Sequence, residues 1–345
     1  MIRGALAIGS HKGAEQAASA ALDSVGSAAD AVIAGFFAHA GADPGVLLSP
    51  VVAIVAGVGA GARVVDGRAL QPGKGAARPR GWKSESEVPD AARIGVPRSV
   101  GALTLLHASR GKTSLGQLVK PGVAAAEEMG ASARAGLLRR IGRSGQTALR
   151  SDEFVSAMIG AAGPVVGGVL TAEDFDSALP DDLPAKSTQV HGDATVIGLP
   201  WDAPLGRFPR AHVVLACDGR GIVVALAYMP VGVEDGLSVP ELGVVLGKHA
   251  HPVRRGIPRT KPGTVLDMPA PIAVTTSAGT TTLVALLGKS TIDAESLAGV
   301  VDAWSTEGKL EEVRTQTKAR SVLALLRDAR DARALRTAED AGLSD

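Results

Sequence analysis

The residues able to do chemistry are few and scattered along this chain. His212 opens the run His212-Val213-Val214-Leu215-Ala216-Cys217-Asp218-Gly219, in which Cys217 is the single cysteine of 345 residues. A reactive thiol needs a neighbouring base, cation or helix start to lower its pKa. None stands beside Cys217, so it reads as a buried structural thiol. One cysteine also excludes an intramolecular disulfide and a cysteine-built zinc site. His249 and His251 alternate in a basic loop with Arg254 and Arg255 and are weak metal candidates. With no acidic or cysteine companion nearby, a solvated loop is the favoured reading, and no metal or cofactor is expected. His107 and His191 stand alone, and His212 itself reads as a hydrogen-bonded core histidine. Asp30 lies in an apolar helical run, where a capping acid beside Ser27 is the first reading and a binding role the alternative. Gly57, Gly59 and Gly61 are spaced like a phosphate loop, but no Gly-Lys-Ser/Thr completes it.

The elements that must position these groups are built from small residues. The chain is 46% hydrophobic but only 3% aromatic, with 43 glycines, so its core has to close through small aliphatic side chains and near approach of backbones. The formal charge of +1 gives no electrostatic footprint for nucleic acid or anionic membrane. The longest apolar run, residues 46–62, contains Pro50 and falls short of the ~20 residues a membrane span requires. The opening residues carry an apolar run too short for a signal peptide. The expectation is a folded cytoplasmic protein with neither nucleic-acid nor membrane partners.

Taken in order, residues 13–40 read as a helix broken near Gly26, and 51–65 as a strand buried on both faces. Residues 66–93 read as an exposed loop. Helices follow over Val100–Ser109, Leu115–Gly130 with Pro121 at a kink, Ala131–Ile141 with Arg134 on a solvated face, and Ser151–Ala162. Thr171 and Asp174 form an acidic capping box. Residues 176–192 read as a linker, and Thr195–Leu199 as a short strand. Two hairpins are predicted, His212–Cys217 with Ile222–Tyr228 about Asp218-Gly219, and Pro271–Thr275 with Thr281–Leu287 about Gly279. A basic irregular loop, 248–264, lies between them. From Ile292 the tail reads as helical, with leucines 323, 326 and 335 forming a seam for this protein, another copy or a protein partner.

The order of these pieces resembles the gamma-glutamyltranspeptidase family of N-terminal-nucleophile hydrolases. Gly26-Ser27-Ala28-Ala29-Asp30-Ala31-Val32-Ile33-Ala34 resembles the family's GGNAVDAAVA element. Residues 95–130, GVPRSVGALTLLHASRGKTSLGQLVKPGVAAAEEMG, resemble its G-V-P-G-x-V-x-G segment and the two helices after it. Gly168-Val169-Leu170-Thr171-Ala172-Glu173-Asp174-Phe175 resembles its GGxLTxEDL element. The resemblance spans residues 7–287 in patches. It implies an α+β fold, an αββα sandwich of two antiparallel sheets between helical layers, here with a shortened centre and a charged C-terminal helix. It divides the chain into 1–175 like the large subunit, 176–207 as linker and short strand, 208–291 like the small-subunit core, and 292–345 as a helical tail.

The resemblance also locates a loss. In the family a threonine heading a strand becomes a new N-terminus, with its hydroxyl as nucleophile and its amine as base. That motif reads T-T-H-x-S-V-V-D, and the matching positions here are Arg210-Ala211-His212-Val213-Val214-Leu215. The family arginine that grips substrate follows A-L-D-F-R, where this chain has Ala69-Leu70-Gln71-Pro72-Gly73-Lys74; Lys74 offers a point charge and no planar clamp. A Gly-Gly oxyanion pair is matched by Gly288-Lys289-Ser290. The implied function is a non-catalytic structural or binding subunit that does not cut itself. The alternatives are an amidohydrolase or acyltransferase with a relocated nucleophile such as Thr188, and an amino-acid-type metabolite binder without turnover.

Overall fold

The computed structural model describes residues 4–24, 26–57, 61–77, 81–190, 194–201, 211–277, 279–289, 307–328 and 331–337. Two six-stranded antiparallel sheets form its centre. The strands are β1 (Leu6–Gly9), β2 (Val51–Gly57), β3 (Arg63–Gly67), β4 (Asp181–Pro184), β5 (Lys186–Gln189), β6 (Thr195–Gly198), β7 (His212–Cys217), β8 (Ile222–Tyr228), β9 (Leu237–Val239), β10 (Val244–Leu246), β11 (Ile272–Ser277), β12 (Thr280–Leu287), β13 (Ser321–Arg327) and β14 (Ala332–Arg336). The first sheet runs β1-β7-β8-β2-β3-β4, the second β14-β13-β12-β11-β6-β5, and β9 with β10 makes a separate ribbon.

Residues two apart along a strand face the same way, and that alternation divides the core. Ile8, Ile54, Val213, Leu215 and Val223 of the first sheet meet Val274, Leu283, Leu323 and Leu325 of the second. The opposite face of the first sheet, with Val51, Ala53, Val214, Val224 and Leu226, is covered by helices. These helices are α1 (Lys12–Ser24), α2 (Ala28–Ala42), α3 (Ser99–Arg110), α4 (Leu115–Glu128), α5 (Ser132–Ser144), α6 (Asp152–Ala162) and the short α7 (Ala172–Asp176). On the far side, Leu310 and Val313 of α8 (Glu307–Thr317) pack on Val284, Leu286, Val322 and Ala324. The result is an αββα sandwich.

The small residues do what the composition requires. A Cβ on Gly41 of α2 would lie 1.9 Å from the carbonyl oxygen of Gly122 in α4, and one on Gly122 would lie 2.1 Å from that of Phe37. The two helix backbones therefore touch. Between α1 and α2 the chain turns through Gly26 at φ +32, a conformation that L side chains rarely adopt. Ser27 then caps α2 by accepting the Asp30 amide at 3.0 Å. The capping box of Thr171 and Asp174 is present as expected.

Several expectations are corrected. The tail is not a continuous helix: α8 is followed by β13 and β14, which extend the second sheet. In β13 the side chains alternate, Leu323 and Leu325 toward the inter-sheet core and Val322, Ala324 and Leu326 toward α8, so the leucine seam is a strand period and not a helical one. The helical surface expected over 292–340 for a partner or second copy is thus replaced, among the described residues, by elements packed on this chain. The linker 176–192 supplies two edge strands, β4 on β3 and β5 on β6. The start of the supposed exposed loop, Asp66 to Gln71, is buried. Arg134 is also buried, donating Nε to the Gly41 carbonyl at 3.0 Å and Nη1 to that of Gly243 at 3.2 Å. It closes α5 against the end of α2 and the ribbon loop, a use that charge patterning on a helix face does not reveal.

Candidate functional site

One end of the sandwich gathers the groups with chemical potential. It holds the C-terminal end of β1 and the first residue of β7, because these strands are antiparallel with Gly9 opposite Val214. Beyond β1 the pairing continues for one residue: the Ser10 amide donates to the Val213 carbonyl at 3.0 Å. The Ser10 hydroxyl accepts the Val213 amide at 2.9 Å and stands 3.1 Å from Nδ1 of His212. A serine pinned by its own backbone at a strand end thus presents its Oγ to an imidazole.

Three further rings close around this pair. His212 lies directly opposite Tyr228 across the β7–β8 hairpin, with ring centroids 5.8 Å apart. His39, from the last turn of α2, exchanges a hydrogen bond of 2.9 Å between Nδ1 and the Tyr228 hydroxyl and meets His212 edge-on at 4.8 Å. His11 stacks on His39 at 3.8 Å with the planes 3° apart, and its Nδ1 accepts the Ala14 amide of the first helical turn. Burial drives His39 down to about 2, helped by the nearby positive forms of His212 and His11. Burial likewise lowers His212 to about 4, with His11 and Arg320 adding to the effect. His11 is lowered by burial against a smaller opposing pull from Asp43. Tyr228 is pushed up by burial. At neutral pH the cluster is therefore uncharged, and His212 is a free base toward Ser10.

A cavity of about 690 Å³ opens in front of this arrangement, lined by Gly9, Ser10, Lys12, Glu15, Gln16, Ser321, Leu323, Arg336 and Thr337. It lies between the first turn of α1 and the ends of β13 and β14, so both sheets contribute to it. Glu15 accepts the Gly9 amide at 3.0 Å and the Arg336 guanidinium at 2.6 Å through the same oxygen. His212 is absent from the wall and touches the cavity only through the Ser10 hydroxyl.

The residues singled out in the sequence are mostly elsewhere. Ala211 is fully buried immediately ahead of His212, whereas Arg210 lies outside the described residues. Thr188 is exposed in β5, opposite Val196, and so stands in an edge strand rather than in the loop expected for it. Lys74 donates its amide to Asp174, whose carboxylate also takes the amides of Gly73 and Thr171. That carboxylate ties the turn after β3 to the start of α7. Asp30 is fully buried and its carboxylate receives the amides of Lys112 and Thr113, a loop anchor. Gly288 follows β12 at φ +84 beside Arg320, whose amide donates to the Leu287 carbonyl. None of Lys74, Asp30, Thr188 and Gly288 lines the cavity.

His251 pairs through Nδ1 with the Thr260 hydroxyl, whereas His249 is largely enclosed and lowered to about 4 by burial, so it is not part of a solvated loop. Among the described residues no group of three or more His, Cys, Asp or Glu is placed to hold a metal ion, and no helix is long and apolar enough to cross a membrane. Cys217 is fully buried, its thiol pushed up to about 11 by desolvation, and it donates weakly to the Gly4 carbonyl.

Sequence reading passed over Ser10, His39, Tyr228 and Arg336. A signal existed for Tyr228: the Asp-Gly turn fixes the hairpin register, and that register puts the chain's single tyrosine opposite His212. His39 sits in a uniform run of small apolar residues that hides its neighbours.

No family profile and no curated protein matches the sequence. Solved structures do. LmbA2991T421A superposes with a TM-score of 0.70 at 15% identity, covering 96% of this chain and 97% of that one. Cephalosporin acylase from Bacillus halodurans superposes with a TM-score of 0.67 at 13% identity, covering 96% of each. A gamma-glutamyltranspeptidase from Pseudomonas nitroreducens, complexed with L-DON, aligns over 55% of this chain and 69% of its own at 19% identity, with a TM-score of 0.47. Likeness at such identities concerns the fold, and the fold is the αββα sandwich of the N-terminal-nucleophile hydrolases.

Proposed function

We propose that this chain performs no N-terminal-nucleophile chemistry, stays a single polypeptide, and works as a small-molecule-binding protein through the cavity at the head of β7. One observation carries the reading: the residue entering β7 is Ala211, a fully buried methyl group beside His212 where that chemistry needs a hydroxyl and an amine on one residue. Arginine at position 210 supplies neither. The cavity in front has the size of a small-molecule site and mixes apolar wall with Lys12, Arg336 and Ser10. An acylase among its structural neighbours, acting on an organic acyl compound by name, supports a ligand of comparable size.

Thr188 gains no support as a relocated nucleophile, since it is exposed on the edge strand β5 and away from the cavity. The binding reading is tested by thermal shift with a panel of N-acyl amino acids, γ-glutamyl compounds and cephalosporins. A ligand that binds only the folded state stabilises it by about 2.7 kcal/mol at a hundredfold excess over Kd. A concentration-dependent rise in Tm that Gln16→Trp, at the exposed wall of the cavity, removes is the expected result. A flat response across the panel contradicts the reading.

A further inference from the structure

Ligand binding leaves one arrangement at this end unused, the hydroxyl of Ser10 against the imidazole of His212. We propose that Ser10 is an acyl acceptor, with His212 as its general base, for carboxylic esters of small acids entering the cavity. This goes beyond the binding reading and does not depend on it. A serine hydroxyl has one proton and two lone pairs. The Val213 amide occupies one lone pair at 2.9 Å, and with the His212 proton on Nε2 the hydroxyl proton has the shorter contact to Nδ1, at 3.1 Å against 3.4 Å to the Val213 carbonyl. The second lone pair remains for attack, and Ser10 is on the cavity wall while its base stands behind it.

The step balances without any further cofactor. Ser10 Oγ forms a bond to the ester carbonyl carbon as its proton passes to His212 Nδ1. The tetrahedral intermediate collapses by breaking the carbon–alkoxide bond, and His212 returns the proton to the departing alcohol. Water, activated by the same imidazole, then cleaves the acyl-serine and regenerates the hydroxyl. Lys12 lies on the same cavity wall and supplies positive charge there, beside the Glu15 carboxylate held by the Gly9 amide and Arg336. Among the described residues no carboxylate pairs with His212, which sits among His11, His39 and Tyr228. Acylation is therefore expected to outrun turnover, and activated esters to react best.

The test is incubation of the full chain with p-nitrophenyl acetate, followed by intact mass and peptide mapping. One acetyl group per chain on Ser10 is expected, absent in Ser10→Ala and restored at position 10 in Ser10→Cys. His212→Gln lowers the acylation rate by ~10²-fold or more, the scale of a lost general base. The wild-type rate is level above pH 5 and falls as His212 protonates. Acetylation confined to lysines, no adduct at all, or equal labelling of Ser10→Ala overturns the proposal. Should Ser10→Ala misfold, an unlabelled but folded Ser10→Cys overturns it equally. The Tm shift of the parent protein with the ligand panel is measured without reference to its labelling, so the two readings fail separately.

Discussion

The Ser10 hydroxyl and His212 Nδ1 are 3.1 Å apart although 202 positions separate them in the chain. They meet because β1 and β7 pair antiparallel and the first sheet ends both at the same edge of the sandwich. The relationship is topological: neither residue has a local sequence context that announces the other.

The histidine cluster makes stability depend on pH. His39, His212 and His249 are all held below the ordinary histidine range by burial, to about 2, about 4 and about 4. Between pH 6.5 and 4 the unfolded chain binds protons that the folded one refuses, so the stability present at pH 7 is lost as pH falls through this window. Urea midpoints measured at pH 7, 6 and 5 are expected to drop in that order. His39→Leu flattens the slope, and a pH-independent midpoint in the parent protein contradicts the neutral cluster.

Asp66 is almost fully buried between two arginines, paired with Arg68 at 2.9 Å and 3.5 Å from Arg98, which in turn reaches Asp181 at 2.7 Å. Removing the central charge takes the carboxylate from the buried Arg68 guanidinium and leaves Arg98 with Asp181 alone. Asp66→Asn is expected to cost about 3–5 kcal/mol by chemical denaturation. Asp182→Asn, which breaks the exposed pair with Arg63, costs at most about 1 kcal/mol.

The contact of α2 with α4 depends on the absence of side chains. Gly122→Ala drives a methyl into the Phe37 carbonyl and is expected to destabilise by at least 1–3 kcal/mol, about the cost of overpacking. Gly136→Ala in α5, where a Cβ meets nothing within 4 Å, is expected to gain up to ~1 kcal/mol of helix propensity. Equal effects of the two on Tm contradict the packing account.

The Asp174 carboxylate anchors a turn a hundred residues away through the amides of Gly73 and Lys74. Asn at this position turns an acceptor into a donor facing donors. Asp174→Asn is expected to lose about 1–3 kcal/mol and to raise amide exchange at Gly73 and Lys74. Unchanged exchange there argues against the anchor.

What was legible in the sequence was what local chemistry encodes. The two hairpins followed from turn residues flanked by β-branched runs, the α1–α2 break from Gly26, and the capping box from Thr171 and Asp174. The C-terminal strands were not legible, because Ser-Val-Leu-Ala-Leu-Leu-Arg suits a helix as well as a strand buried on both faces, and flanking charges resembled a helix surface. Arg134 was misplaced because its acceptors are two distant carbonyl oxygens. The candidate site was half legible: His212 could be read as the histidine opening a buried strand, whereas Ser10, His39 and Arg336 come from three other elements that only the sheet order brings together.

The central claim, that Ala211 ends N-terminal-nucleophile chemistry here, is tested most directly by the intact mass of the purified chain under denaturing conditions. A single species at the full-chain mass, unchanged after prolonged incubation, is the expected result. Two fragments arising from a cut that leaves a threonine or serine at the new N-terminus, in a preparation free of proteases, would contradict it.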